Sequence, residues 1–186
     1  MNTTAADVDI RQTLEDLTAR VSALEQSAGN DRLSIGVMSS NLDTTIAAFI
    51  IALGAVAYDI EVDMFFTFWA TAALRDPKKS PPKKLLDKMF GWMLPRSSLS
   101  LPLSKMQMAG IGPTMIRSVM KQRGVKSLEQ LMKEAAEFGV RIHVCEMSMG
   151  VMGLKEEEMI DYPGIDYVGV VSFIQMISES KQVVFL

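Results

Sequence analysis

Apolar positions in this chain change period several times, and each change marks an element. Residues 7–26 place Ile10, Leu14, Leu17, Val21 and Leu24 at spacings of 4, 3, 4 and 3, with Asp, Glu, Arg and Gln on the other faces. That spacing predicts an amphipathic helix with a two-heptad seam, suited either to lying on its own domain or to pairing between subunits. Residues 27–31 break the helix and act as a hinge. A short apolar run at 33–38 reads as a buried strand, 39–43 as a loop with N-cap candidates, and 44–58 as an apolar helix. A second strand at 60–68 runs straight into a helix at 69–74. Strand, helix, strand at this spacing is a βαβ unit.

Beyond it, 76–82 is a turn-rich break containing Pro77, Pro81 and Pro82. The segment 92–113 holds Pro95, Pro102 and Pro113 with Gly110 and Gly112, yet is rich in Met and Leu. An oily stretch that cannot form one long helix suits a flap over a cleft, or an interface. Helical signals resume at 114–122, and Ser127 with Gln130 caps a further helix that ends at Phe138 before Gly139. Residues 140–144 alternate as a strand leading into Cys145, 148–152 and 155–160 suit short helical turns, 167–180 is mostly helix, and 182–186 is a last strand. The alternation predicts an α/β fold with a mainly parallel sheet and helices on both faces.

Composition narrows the function. The single cysteine forbids an internal disulfide and any CxxC zinc site, and fits a reducing cytoplasm. With one histidine, His143, a His-rich metal site is not expected, and a Ser-His-Asp triad would need that one ring. The net charge of −3 lies wholly before residue 33, and the remaining residues balance, so no nucleic-acid footprint is present. Mean hydropathy is +0.18, but the longest uncharged run, 44–58, falls short of the roughly 20 residues of a membrane span. The N-terminus has no basic start or apolar core of a signal peptide. Seven bases against two acids over 75–96 suit a solvated face, or one that docks an acidic partner or anionic headgroups as peripheral membrane contact.

In open α/β sheets ligands sit at the carboxyl ends of the strands. Three predicted loops qualify: 39–43 with Asn41 and Asp43, the segment from Trp69, and the segment from Cys145 through Met147, Ser148 and Met149. Cys145 is their one strong nucleophile, and a helix starting there favours its thiolate. A lone cysteine is also common core filler, and strand-end placement brings the two readings level.

The string Cys145-Glu146-Met147-Ser148-Met149-Gly150-Val151-Met152-Gly153 tips the balance. After a Val-x-Ile-x-Val strand it resembles the DsrE/DsrF/DsrH-like family, within it the longer DsrE-type branch. The helix from Asp43, the strand Met64-Phe65-Phe66-Thr67-Phe68-Trp69 and the loop Lys105-Met106-Gln107-Met108-Ala109-Gly110 resemble that branch in the same order, over about 31–186. The resemblance implies a three-layer α/β/α sandwich that self-associates, expected here with about five strands, while residues 1–30, the helix and hinge read from the seam, lie outside it. It also implies that Cys145 carries sulfur as a persulfide, exchanged with TusA-like or rhodanese-like proteins and needing no cofactor.

Asn41, Asp43, Trp69, Met106, Met108, Met147, Ser148 and Met149 are then candidates to line the site, with 92–113 as a flap shielding the persulfide. Two other readings stay open. Soft thioether and thiolate ligands select Cu(I), so Cys145 with Met147, Met149, Met152, Met106 and Met108 could form a copper module. A non-catalytic binding or scaffold protein is the third. Gly110-x-Gly112 is a weak phosphate-loop hint for it, with no strand before it.

Overall fold

Parallel strands with both faces covered dictate the architecture. The computed structural model describes residues 5–27 and 30–186, with side chains for 10–22 and 31–186. In chain order the elements are α1 (Ala5–Ser27), β1 (Asn30–Val37), α2 (Leu42–Val56), β2 (Glu61–Phe66), a 3₁₀ segment (Phe68–Leu74), α3 (Leu85–Met93), α4 (Ile111–Gln122) and α5 (Leu128–Glu137). There follow β3 (Arg141–Cys145), α6 (Glu146–Met152), β4 (Ile165–Val168), α7 (Val170–Glu179) and β5 (Ser180–Phe185). The chain divides into two compact units, one ending at Asn30 and the other beginning at Asp31.

In the first unit, the seam residues Ile10, Leu14, Leu17 and Val21 are 47–57% exposed. The side chain of Leu24 and the hinge positions 28 and 29 lie outside the described residues. No described helix is long and apolar enough to cross a membrane.

The second unit is a five-stranded parallel sheet in the order β4-β3-β2-β1-β5. Ile35 pairs with Met64, and Met64 with Ile142. The Leu186 N–H donates to the Gly36 carbonyl while its own carbonyl accepts from Met38, the bracketing pattern of a parallel pair, so β5 runs alongside β1. The winding therefore steps outward from β1 to β4 and reverses between β1 and β5.

Period-2 alternation sends the strand side chains to two different cores. Ile35, Val37, Met64, Phe66, Ile142 and Val144 join Phe49 and Ala52 of α2 and Leu128 and Ala135 of α5 in the larger one. On the opposite face, Phe65 and Cys145 meet Phe173 of α7. Gly36 makes that second layer possible, because a Cβ there would come within 2.6 Å of the Phe185 ring. Phe185 in turn packs edge-on to Phe173, with centroids 6.0 Å apart.

Four sequence expectations need correction. Residues 167–180 are mostly helix as expected, with α7 over Val170–Glu179, but the edge strand Ile165–Val168 that precedes it was not foreseen. Its half-exposed side chains and central Asp166 hide the apolar run of a buried strand. The helix read at 69–74 is a tighter 3₁₀ segment. α3 was not expected, because lysines and prolines dominate its surroundings. The helix expected at 114–122 starts earlier, at Ile111, with Pro113 in a first turn whose N–H groups need no partner within the helix.

The 92–113 segment is pinned at its middle. Leu101 is buried in the main core, the Pro102 carbonyl accepts from Leu42 N–H, and Asp43 accepts from the Ser104 N–H (3.0 Å) and hydroxyl.

Candidate functional site

Cys145 ends β3 and is the N-cap of α6, so its side chain sits where the first amides of a helix converge. Burial pushes its thiol pKa up. The Ser148 hydroxyl and N–H, the Thr67 hydroxyl and the Met147 N–H outweigh this and hold the pKa below its ordinary value. Thr67 follows β2 and Ser148 lies in α6, and their hydroxyls are 2.7 Å apart. Hydrogen bonds, not a neighbouring cation, lead the list of what favours the thiolate.

The other side of the sulfur is aromatic. Phe65 and Phe173 stack with centroids 4.3 Å apart and planes 8° from parallel, in one cluster with Cys145. Half-buried Val168, Met176 and Ile177 pack around them. Cys145 is only 1% exposed, so the thiol is closed off with α7 in place.

The structure sorts the expected site residues into groups. Ser148 touches Cys145, as expected. Asn41 and Trp69 line a separate cavity of about 510 Å³ at the carboxyl ends of β1 and β5, with Met38, Ser39, Ser40, Phe185 and Leu186, and Cys145 is not part of its wall. Asp43 tethers the 92–113 segment through Ser104. Met149 is buried in the α2-side core, away from the Cys145 cluster. Met147, Met106 and Met108 are 55%, 73% and 57% exposed. Of the methionines that a copper site would need, Met149 and Met152 thus belong to the other core and the remaining three face solvent. Among the described residues no cluster of three or more His, Cys, Asp or Glu side chains could hold a metal.

Thr67, Phe65 and Phe173 were missed. Thr67 carried a faint signal as the one hydroxyl in the apolar run 64–68, at the end of a strand parallel to β3. Phe173 carried none.

His143 lies two residues before Cys145 on the same face of β3. Its Nδ1 lies 2.5 Å from Asp166 on β4, and its Nε2 lies 2.9 Å from Asp63 on β2. Both partners are carboxylates, which only accept, so both ring nitrogens must carry protons. Burial works against that charge, but the hydrogen bond and charge of Asp63 and the charge of Asp166 raise the pKa above its usual value. Burial likewise opposes ionisation of Asp63. His143 and Arg141 overcome it and lower its pKa to about 2.

Comparison with known proteins places these features in a lineage. The sequence profile of the DsrE/DsrF/DrsH-like family matches residues 29–185. The uncharacterized protein YrkE of Bacillus subtilis is 45% identical over 156 residues, covering 83% of this chain and 96% of that protein. The sulfur carrier protein DsrE2 of Allochromatium vinosum is 30% identical over 156 residues, covering 80% and 94%. The crystal structure of the ychN protein from E. coli shares the fold at a TM-score of 0.51 and 12% identity, covering 83% and 98%.

Proposed function

The chain belongs to the DsrE/DsrF/DrsH-like family, and we propose that it carries sulfane sulfur as a persulfide on Cys145 and passes it to an acceptor thiol. The observation that carries this reading is the polar set around the sulfur: two helix-start amides and a bonded pair of hydroxyls, one donating to the other and the other free to donate to the sulfur, on a thiol whose pKa is lowered despite burial. The relation to a sulfur carrier protein supports it.

The chemistry needs no outside oxidant. Thiolate Cys145 attacks the outer sulfur of a donor persulfide, forming one S–S bond as the donor's own breaks, and the donor leaves as thiolate. The Cys145 persulfide then presents its outer sulfur to an acceptor thiolate. The new S–S bond forms on the acceptor, the Cys145 bond breaks, and the Cys145 thiolate is regenerated. The Thr67, Ser148 and Met147 donors favour the anion at both ends of the cycle. With the thiol 1% exposed, Phe173 must swing aside for transfer, and its closed position shields the persulfide between transfers.

Rhodanese-like or TusA-like proteins suit the donor and acceptor roles, in a reducing compartment, with α1 supporting self-association. The test is intact mass after incubation with polysulfide. A dithiothreitol-sensitive gain of about 32 Da, one sulfur atom, is expected for the wild type and not for Cys145→Ser. No gain with any donor overturns the reading.

A further inference from the structure

We propose that a cavity under α3, remote in sequence from Cys145, binds a tetrahedral oxyanion of the phosphate or thiosulfate type. The cavity holds about 570 Å³, within the range of small-ligand sites. Arg75, Lys79, Lys83, Lys88 and Arg96 line it against two carboxylates, Asp76 and Glu158. Lys79 is taken by Asp161 (2.6 Å) and the Met159 carbonyl, whereas Lys88 and Arg96 have no carboxylate partner among the described residues.

At its floor, two cations share one acid. Glu158 is ion-paired to Arg75 (3.1 Å) and to Lys83, and the side-chain exposures are 2%, 12% and 8%. Burial of two cations on one carboxylate leaves a positive charge uncompensated, which is costly without a counter-ion. Arg75 also donates from Nη1 to the Gly91 and Pro95 carbonyls. Lys83 does not: its buried Nζ has three N–H groups and no acceptor beyond its contact with Glu158.

The space for the missing acceptor is the cavity itself, and Gly91 sets where Lys83 stands in its wall. A Cβ at Gly91 would stand 3.2 Å from Lys83 Nζ and 3.8 Å from Arg75 Nη2. A glycine inside an exposed helix is otherwise unfavourable relative to alanine, and here the missing Cβ lets the Lys83 ammonium pack against α3 at the cavity wall. An oxyanion seated there accepts from Lys83 while Lys88 and Arg96 add charge at the mouth.

The proposal is independent of sulfur transfer and is tested on the full chain carrying Cys145→Ser. Inorganic phosphate is titrated by calorimetry and by thermal melting against sodium chloride at equal ionic strength. Saturable binding with a phosphate-specific rise in melting temperature is expected, lost in Lys83→Met. Gly91→Ala, checked for folding by circular dichroism, is expected to bind roughly ten-fold more weakly, the loss of about one charge-assisted hydrogen bond. No preference for phosphate over chloride, or unchanged affinity in Gly91→Ala, overturns the site. Sedimentation with phosphatidylglycerol vesicles separates the sources: phosphate-competed pelleting assigns the oxyanion to a lipid headgroup, and no pelleting assigns it to a free anion.

Discussion

The hydroxyls of Thr67 and Ser148 lie 2.7 Å apart, tying the end of β2 to α6 beside the Cys145 thiol. If this pair holds the thiolate, Thr67→Ala and Ser148→Ala each raise the thiol pKa. A hydrogen bond to a charged group contributes about 1.5–3 kcal/mol, which sets a shift of roughly one to two units per variant. The check is the pH dependence of iodoacetamide alkylation, whose midpoint moves to higher pH. An unmoved midpoint removes the hydroxyls from the mechanism.

Phe173 predicts a different signature. Its ring closes the sulfur from the α7 side, so Phe173→Ala speeds alkylation of Cys145 and, by relieving the burial that pushes the thiol pKa up, moves the midpoint to lower pH, opposite to the hydroxyl variants. It also costs stability, about 3 kcal/mol for an aromatic removed from a packed site. Urea denaturation measures that cost, and alkylation below the unfolding transition measures access. A variant that is destabilised but no faster to alkylate shows that α7 is not the lid.

The contrast between these residues shows what the sequence could disclose. Strands β1 and β2 are legible because both faces of each are covered, leaving short apolar runs, and β3 through the alternation of Arg141, Ile142, His143 and Val144. β4 is not, because an edge strand with Asp166 at its centre answers to His143 on the neighbouring strand instead of to a core. α3 was hidden for a related reason: Leu85, Leu86, Trp92 and Met93 are 66–84% exposed and form no buried stripe. Cys145 announced itself through its strand-end position and the string that follows it. Thr67 and Phe173 come to it through sheet order and the return of α7, which no local pattern encodes. The methionines misled for a physical reason, since a flexible thioether fills a core as readily as it binds a metal.

The exposed seam of α1 carries a prediction of its own. Ile10, Leu14, Leu17 and Val21 stay about half exposed, and a stripe of that kind is buried when helices pair. Leu14→Glu with Leu17→Glu is expected to lower the solution mass measured by light scattering while leaving the circular dichroism of the 31–186 unit intact. An unchanged mass assigns any self-association to other surfaces.

The charge ladder around His143 predicts how stability depends on pH. His143 faces Asp63 and Asp166 on the neighbouring strands, with Arg141 two residues before it and Arg32 reaching Asp63 at 3.4 Å. Glu61 and Glu179 close the ladder through Arg32. The histidine pKa is raised in the fold. Its contribution is therefore complete below its unfolded value near 6.5 and is lost as pH rises through the folded pKa. Asp63 has the opposite sign: lowered to about 2, it contributes fully above about 4 and loses that contribution as pH falls towards 2, on the order of 2 kcal/mol. Stability to urea should thus be highest between about pH 4 and 6.5 and decline on the alkaline side as His143 deprotonates. In His143→Gln the neutral amide cannot donate to both carboxylates as a cation does, so stability at pH 6 falls and the alkaline decline disappears. If that decline survives the substitution, another group drives it and His143 is neutral in the folded protein.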